Sequence, residues 1–302
     1  MTTATEIKPQ MKSPIKWYGG KFFMRKELLR LMPPHDYYVE VFGGGAQLLF
    51  AKPPTRHETY NDIHKGLLAL FSVLRDPELF PEFQRQINFV LYSRAEWQHA
   101  RDNWQSEPDP VKKAVMFFTL NRQSFSGKNT AGWSFSVLEI SRNMPGTCSR
   151  LLSSIAGLDK VHRRLKTVQI ECQDWRSILK TYNTPEYFAY VDPPYVMDTR
   201  CGGKTYKHEM TNDDHKELVE ALMNYPGMVM LSAYDHEIYE LLATAGWEKT
   251  TKKAVCRAVG RTRNSGLQGK GNVTKNQQRV EVIWRNPACV KRWETRGFFD
   301  HA

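Results

Sequence analysis

Asp192, Pro193, Pro194 and Tyr195 follow directly on the apolar run Tyr187-Phe188-Ala189-Tyr190-Val191, and their types suit an exocyclic amine on a planar base. The run has the aromatic and β-branched content of a strand. Two prolines end it, because neither can donate a ladder hydrogen bond. What remains is a rigid turn at a strand's C-terminal end, carrying one carboxylate, carbonyls freed from pairing and one aromatic face. A ring-borne amine needs those parts: acceptors for its two N–H groups and a surface to stack on. Asp-Pro is also an ordinary turn opener, so the tetrapeptide gains meaning only from its companions.

Three companions precede it. Pro14-Ile15-Lys16-Trp17-Tyr18-Gly19-Gly20-Lys21 combines aromatics, paired glycines and lysines that can set backbone amides and a cation against a small polar ligand. On its own it reads equally well as a tight turn ahead of a helix starting near Lys21. Val39-Glu40-Val41-Phe42-Gly43-Gly44-Gly45-Ala46 reads as a strand, a glycine turn and the helical segment Gln47 to Ala51. Such a turn lets the backbone bend sharply and approach a ligand, as in nucleotide-binding βα units. It lacks the Gly-x-Gly-x-x-Gly spacing and a phosphate-binding lysine, which favours a nucleoside-type cofactor without phosphates. Asp62, after Tyr60-Asn61, lies 17 residues beyond Gly45. An acid at that distance from a glycine turn can bind both ribose hydroxyls; the alternative is a helix cap for Lys65 to Leu74.

These residues need a scaffold, and the pattern supplies one. Strands are predicted at Tyr37 to Phe42, Glu58 to Asn61, Thr167 to Cys172, Tyr187 to Asp192, Met228 to Ala233 and Val280 to Trp284. Helical patterns lie between many of them, with Thr211 as an N-cap and a helix over Tyr234 to Ala245. The alternation predicts an α/β sheet covered by helices on both faces. Residues 76–163 interrupt it with helical patterns at Pro77 to Leu91, Ser93 to Trp104 and Val111 to Asn121, a loop rich in Ser, Gly and Asn, and a basic helix from Arg150 to Leu165.

Composition narrows the class. The chain has 302 residues, 41% of them hydrophobic, and a mean hydropathy of -0.56. No apolar stretch approaches the ~20 residues that span a bilayer. The polar segment Met1 to Lys12 has no signal-peptide core, so a loose leader and a cytoplasmic location are expected. Five widely spaced cysteines (148, 172, 201, 256 and 289) without Cys-x-x-Cys, and histidines without ligand spacing, predict neither disulfides nor a metal site. A net charge of +11 points to a polyanionic partner. Residues 249–279 hold nine lysines or arginines and no acid, with four glycines between them, which reads as a flexible basic loop for phosphate contact rather than a solvated surface alone.

Together these motifs resemble the Dam-like class of DNA adenine-N6 methyltransferases. The match covers nearly the whole chain and keeps the family's order, including Leu231-Ser232-Ala233-Tyr234-Asp235 as the later strand motif beside the target base. The resemblance implies a Rossmann-like S-adenosylmethionine-dependent sheet, formed by residues 1–75 and 164–302, with 76–163 as a helical target-recognition domain. It implies that Trp17, Tyr18, Gly19, Lys21, Glu40, Phe42, Gly43, Asp62, Asp174, Trp175 and Asp192 line the cofactor. Asp192, Pro193, Pro194 and Tyr195 become the catalytic tetrapeptide. Leu120-Asn121-Arg122-Gln123-Ser124-Phe125-Ser126-Gly127 resembles the family's DNA-reading loop. There Asn121, Arg122, Lys128 and Asn129 are expected to reach DNA and Phe125 to wedge into the stack, joined by Arg261, Arg263 and Lys270 of the basic loop. Thr199 to Met210 is expected to close over the base. Double-stranded DNA is the expected partner, with no membrane or metal, for a monomer or weak dimer. Departures within 123–128 from GATC-specific members leave the target open. Methylation of RNA or a protein amide (often with Asn first in the tetrapeptide), cytosine-N4 methylation (usually with Ser first) and non-enzymatic DNA binding are the rival readings.

Overall fold

Strict alternation of side chains along four central strands sets the architecture. In the computed structural model, which describes residues 9–199, 208–255 and 278–295, Tyr38, Phe188, Tyr190, Met228, Met230 and Ile283 join one core. Their neighbours Val39, Ala189, Val191, Val229, Leu231 and Val282 join a second. A period of two with both faces apolar demands cover on both sides of a sheet.

The chain begins with α1 (Arg25–Leu31), β1 (Tyr37–Glu40), α2 (Gln47–Ala51), β2 (His57–Asn61) and α3 (Lys65–Arg75). A helical region follows: α4 (Leu79–Asn88), α5 (Arg94–Asn103), α6 (Pro110–Gln123), a small hairpin of β3 (Ile140–Ser141) and β4 (Met144–Pro145), then α7 (Gly146–Ala156) and α8 (Leu158–Leu165). The sheet resumes with β5 (Gln169–Glu171), α9 (Trp175–Thr181), β6 (Tyr187–Val191), α10 (Asn212–Met223), β7 (Met228–Tyr234), α11 (Glu240–Thr244), β8 (Glu248–Val255), β9 (Gln278–Arg285) and α12 (Pro287–Glu294).

Seven strands form one sheet in the order β5-β2-β1-β6-β7-β9-β8. The first five are parallel, while β9 runs antiparallel to both β7 and β8. From β1 the chain moves outward through β2 to β5, then returns to β6 on the other side. The order therefore reverses between β1 and β6, and such a reversal opens a crevice at the strands' C-terminal ends. This is the Rossmann-like methyltransferase sheet that the motifs imply.

The helical region shares the first core with the sheet. Leu67, Leu70 and Phe71 of α3 pack with Phe117 and Phe118 of α6, and a Cβ on Gly66 would overlap the Phe117 ring. Glu58 of β2 is buried against Lys52 and against Arg164 of α8. Residues 76–163 are thus bonded to the sheet by a continuous interior.

Several local expectations change. The helix expected over Arg150 to Leu165 is two helices, separated at Gly157, a residue that costs about 1 kcal/mol inside a helix. Tyr234 completes β7 instead of starting a helix, and the following turn is 3₁₀ before α11. Thr211 does cap α10, in a reciprocal capping box with Asp214. The basic loop expected from 249 is a strand up to Val255, and its far end lies in β9. Among the described residues no helix is long and apolar enough to cross a membrane.

Candidate active site

The glycine turn closes β1 onto α2 and packs against two rings. Gly43 donates its amide to the Asn61 carbonyl at 2.7 Å, and a Cβ there would enter the Tyr60 ring. Gly44 has φ +49°, and its missing Cβ leaves room for the Trp17 indole, 2.6 Å from where that atom would stand. Tyr60 donates its hydroxyl to the Gly44 carbonyl at 2.7 Å. The glycines therefore serve packing of the turn as well as backbone access to a ligand.

Asp62 finishes the turn from the next strand. Its Oδ2 accepts the Gly44 amide at 2.7 Å and its Oδ1 accepts the His64 amide at 2.8 Å. The cap of α3 is His64, whose Nδ1 accepts the Gly66 amide. Asp62 thus locks strand β2 to the glycine turn, and burial still pushes its carboxyl above the ordinary value despite both amides. Asn61 links the other side: its amide donates to the Val41 and Gln173 carbonyls and accepts from the Gln173 amide. That bridge fixes the start of α9, where Asp174 caps the helix through the Arg176 amide and Trp175 lies buried.

Five charged or polar side chains, Lys21, Glu40, Asp192, Tyr195 and Glu281, converge beyond the end of β6. Lys21 places its ammonium 2.8 Å from Asp192, with both groups shielded from solvent. Burial pushes Asp192 up to about 6, Lys21 opposing the rise. Burial disfavours the Lys21 charge, yet Asp192 and Glu281 outweigh it and hold the ammonium above its ordinary range. Glu40, paired in register with Tyr190 of β6, accepts the Leu49 amide at 3.2 Å. Its carboxyl is pushed up to about 8, first by burial and then by Asp192. Tyr195 donates its hydroxyl to Glu281 at 2.6 Å.

A cavity of about 310 Å³ joins these parts. Trp17, Tyr18, Gly19, Lys21, Glu40, Phe42, Gly43, Asp62, Asp174, Trp175, Asp192, Pro193, Pro194 and Tyr195 all line it. From the segment expected to close over the site, His208, Glu209 and Met210 also line it, while 200–207 lie outside the described residues. Sequence reasoning did not single out Gln173, His64 or the neighbouring Glu281. Glu281 carries the one available signal, an acid inside the otherwise apolar strand Val280 to Trp284. Among the described residues no group of three His, Cys, Asp or Glu side chains could hold a metal ion.

The loop after α6 is arranged differently from its sequence reading. Asn121, expected to contact DNA, is fully buried: its Oδ1 accepts the Lys16 amide at 2.9 Å and its Nδ2 donates to the Lys16 carbonyl at 2.6 Å. Arg122 is also interior, donating to the Arg150 carbonyl, and burial lowers its guanidinium to about 10. Both are corrections, since α6 turns these residues inward against a segment far away in sequence. Phe125 is exposed, Asn129 is partly buried, and the Lys128 ammonium lies 3.8 Å from the centre of the Tyr18 ring. In the basic run, Lys249 pairs with Asp235 and Glu240 and Lys252 pairs with Glu27. Those lysines neutralise local acids rather than standing clear for phosphates. Arg261, Arg263 and Lys270 lie outside the described residues.

With this geometry in view, comparison with known proteins is informative. The family model for D12 class N6 adenine-specific DNA methyltransferases matches residues 17–255. The DNA adenine methylase of Salmonella typhi is 24% identical over 230 residues, spanning 73% of this chain and 80% of that protein. The DNA N-6-adenine-methyltransferase of Escherichia phage P1 is 23% identical over 239 residues, spanning 73% of this chain but 29% of that longer protein. The Retron Ec67 DNA adenine methylase of Escherichia coli is 28% identical over 122 residues, 39% of this chain and 42% of that one.

Proposed function

The chain belongs to the D12 class of N6 adenine-specific DNA methyltransferases, and on that footing we propose that it methylates N6 of an adenine extruded from double-stranded DNA, with S-adenosylmethionine as donor. One observation carries this reading: the nucleoside-type motifs and the Asp-Pro-Pro-Tyr turn line a single cavity. The donor set suits that cofactor. Trp17, Phe42 and Trp175 offer rings for an adenine, Asp62 and Asp174 offer carboxylates for hydroxyl and amine donors, and Glu40 offers negative charge to a cation. Among the described residues that line the cavity, the lysine and the arginine are already paired, Lys21 with Asp192 and Arg176 with Asp174, Asp214 and Glu217. When bound, the cofactor supplies an electrophilic methyl group on a positively charged sulfur.

The chain's own residues prepare the acceptor. Extrusion of the base costs a few kcal/mol, offset by contacts in the pocket. Tyr195 stacks on the base, a contact worth ~1–3 kcal/mol. The Asp192 carboxylate and the Pro193 carbonyl accept from the N6 amine, drawing its lone pair out of conjugation with the ring. The amine becomes acidic only as it gains the methyl group, so positioning and electrostatics outweigh base strength here. A base amine reaching Asp192 competes with Lys21 for the same oxygen atoms. We assign residues 76–163 to target recognition, with the exposed Phe125 and the half-buried Lys128 as its contacts, and a monomer or weak dimer in a cytoplasmic setting.

The test is direct. Purified protein should bind S-adenosylmethionine by calorimetry and transfer its labelled methyl group to DNA. Binding with no transfer to any duplex, or no binding at all, would overturn the reading.

A further inference from the structure

Behind Tyr195, beside the cavity wall, stands a carboxylate outside every motif. Glu281 belongs to β9, where it pairs across the antiparallel ladder with Tyr234 of β7. Its Oε2 accepts the Tyr195 hydroxyl at 2.6 Å. The Tyr195 ring also meets Tyr234 edge-on at 4.3 Å between centres. On its other contact, the Lys21 ammonium lies 4.6 Å from the Tyr195 ring centre. Three different elements therefore fix one ring: β9 through the hydroxyl, β7 through an edge, and the N-terminal segment through a cation.

Two physical needs meet at this point. A stacking platform has value only if its plane is set before the base arrives, and a phenol anchored at its far end cannot swing out of register. A hydroxyl buried at this site without a partner would also carry a desolvation cost. The second need concerns charge. Lys21 is shared electrostatically between Asp192 and Glu281, and an arriving amine displaces it from Asp192. A neutral acceptor would satisfy the Tyr195 hydroxyl equally well, but only a carboxylate gives the displaced ammonium a second counter-charge at the same end of the cavity.

We infer that Glu281 is a positioning residue for methyl transfer, holding the plane of Tyr195 through its hydroxyl and retaining Lys21 when the target amine takes Asp192. The inference rests on the roles proposed above for Asp192 and Tyr195. The groups facing Asp192 are Lys21 from the N-terminal segment, Glu40 from β1, Tyr190 from β6, the adjacent Tyr195, Tyr239 ahead of α11 and Glu281 from β9.

Steady-state methylation of DNA with labelled S-adenosylmethionine, followed across the acid range for wild type, Glu281→Gln and Glu281→Ala, tests it. Glu281→Gln keeps an acceptor for Tyr195 but not the second counter-charge for Lys21, so kcat should fall, though less than in Glu281→Ala. The acid limb of Glu281→Gln should move to lower pH, because a negative neighbour that raises the Asp192 carboxyl is gone. Glu281→Ala removes anchor and charge together, so kcat should fall roughly tenfold to a hundredfold while cofactor Kd by calorimetry holds. An acid limb that stays in place in Glu281→Gln, or a kcat for Glu281→Ala within about twofold of wild type, overturns the inference. If melting shows Glu281→Ala poorly folded, the position of the Glu281→Gln limb decides alone. Wild-type protein that transfers no methyl group overturns the reading of the site and the inference with it.

Discussion

The cavity beyond β1 and β6 and the loop after α6 use their polar residues in opposite ways. In the cavity, Lys21, Glu40, Asp62 and Asp192 gather ionisable groups in a shielded crevice, with carboxyls raised by burial. At the end of α6, leading into the loop, Asn121 and Arg122 turn inward and spend their hydrogen bonds on backbone atoms of Lys16 and Arg150. The first arrangement keeps groups ready for a ligand; the second builds a support. Of the loop residues proposed to contact DNA, Phe125 is exposed and Lys128 half-buried. The two regions are also joined, since the Asn121 amide clamps both backbone groups of Lys16, the residue directly before Trp17 of the cavity wall. Gly127 permits that approach, as a Cβ there would stand 2.5 Å from the Lys16 carbonyl oxygen.

The largest effect that could break this contrast comes from Asp192→Ala. Loss of a preorganised acceptor should lower kcat roughly 10²–10³-fold, beyond the loss of stability from leaving the shielded Lys21 ammonium without its partner. Near-normal turnover would remove the distinction between ligand-ready and structural groups. Asn121→Ala should act on the support instead. It strands the partly buried Lys16 amide and carbonyl, and chemical denaturation should report a loss of about 1–3 kcal/mol. Cofactor affinity should weaken as well, because Trp17 loses its anchor; a stable variant that fails only in DNA binding would restore Asn121 to a contact role.

Acidity sharpens the contrast further. Glu40 sits at about 8, above the ordinary 4.5, so it binds a proton near neutrality that a cationic cofactor expels. Affinity for S-adenosylmethionine should rise by up to about tenfold per pH unit below 8 and level off above it. S-adenosylhomocysteine, without the sulfonium charge, should follow a flatter curve in the same calorimetric series. The folded state also binds that proton more tightly than the unfolded chain, so Glu40 favours folding more as pH falls from about 8 towards 4.5. The smallest expected effect is Lys128→Ala, which should reduce the salt slope of DNA binding by about one phosphate contact and leave the denaturation midpoint unchanged.

Strand ends and turns were legible in the sequence because their chemistry is local. Two prolines after Val191, three glycines after Phe42 and an acid after Asn61 each mark a stop whose cause lies within a few residues. What the sequence hid depends on long range. Asn121 looks like a DNA contact until α6 brings it against Lys16, 105 residues away. Strand β8 was concealed by its position at the sheet edge, where lysines such as Lys252 guard unpaired backbone and mimic a loop in composition. Glu281 was concealed by its strand, since its meaning comes from the Tyr195 hydroxyl 86 residues earlier. The boundaries expected at 76 and 163 come from the sequence pattern, while the interior runs through them without a break.

The most direct measurement is nucleoside mass spectrometry of duplex DNA incubated with the protein and S-adenosylmethionine, run in parallel with Asp192→Ala. The account predicts N6-methyladenine with wild type and almost none with the variant, at equal cofactor binding. Modified cytosine in place of adenine, or equal N6-methyladenine from both proteins, would contradict it.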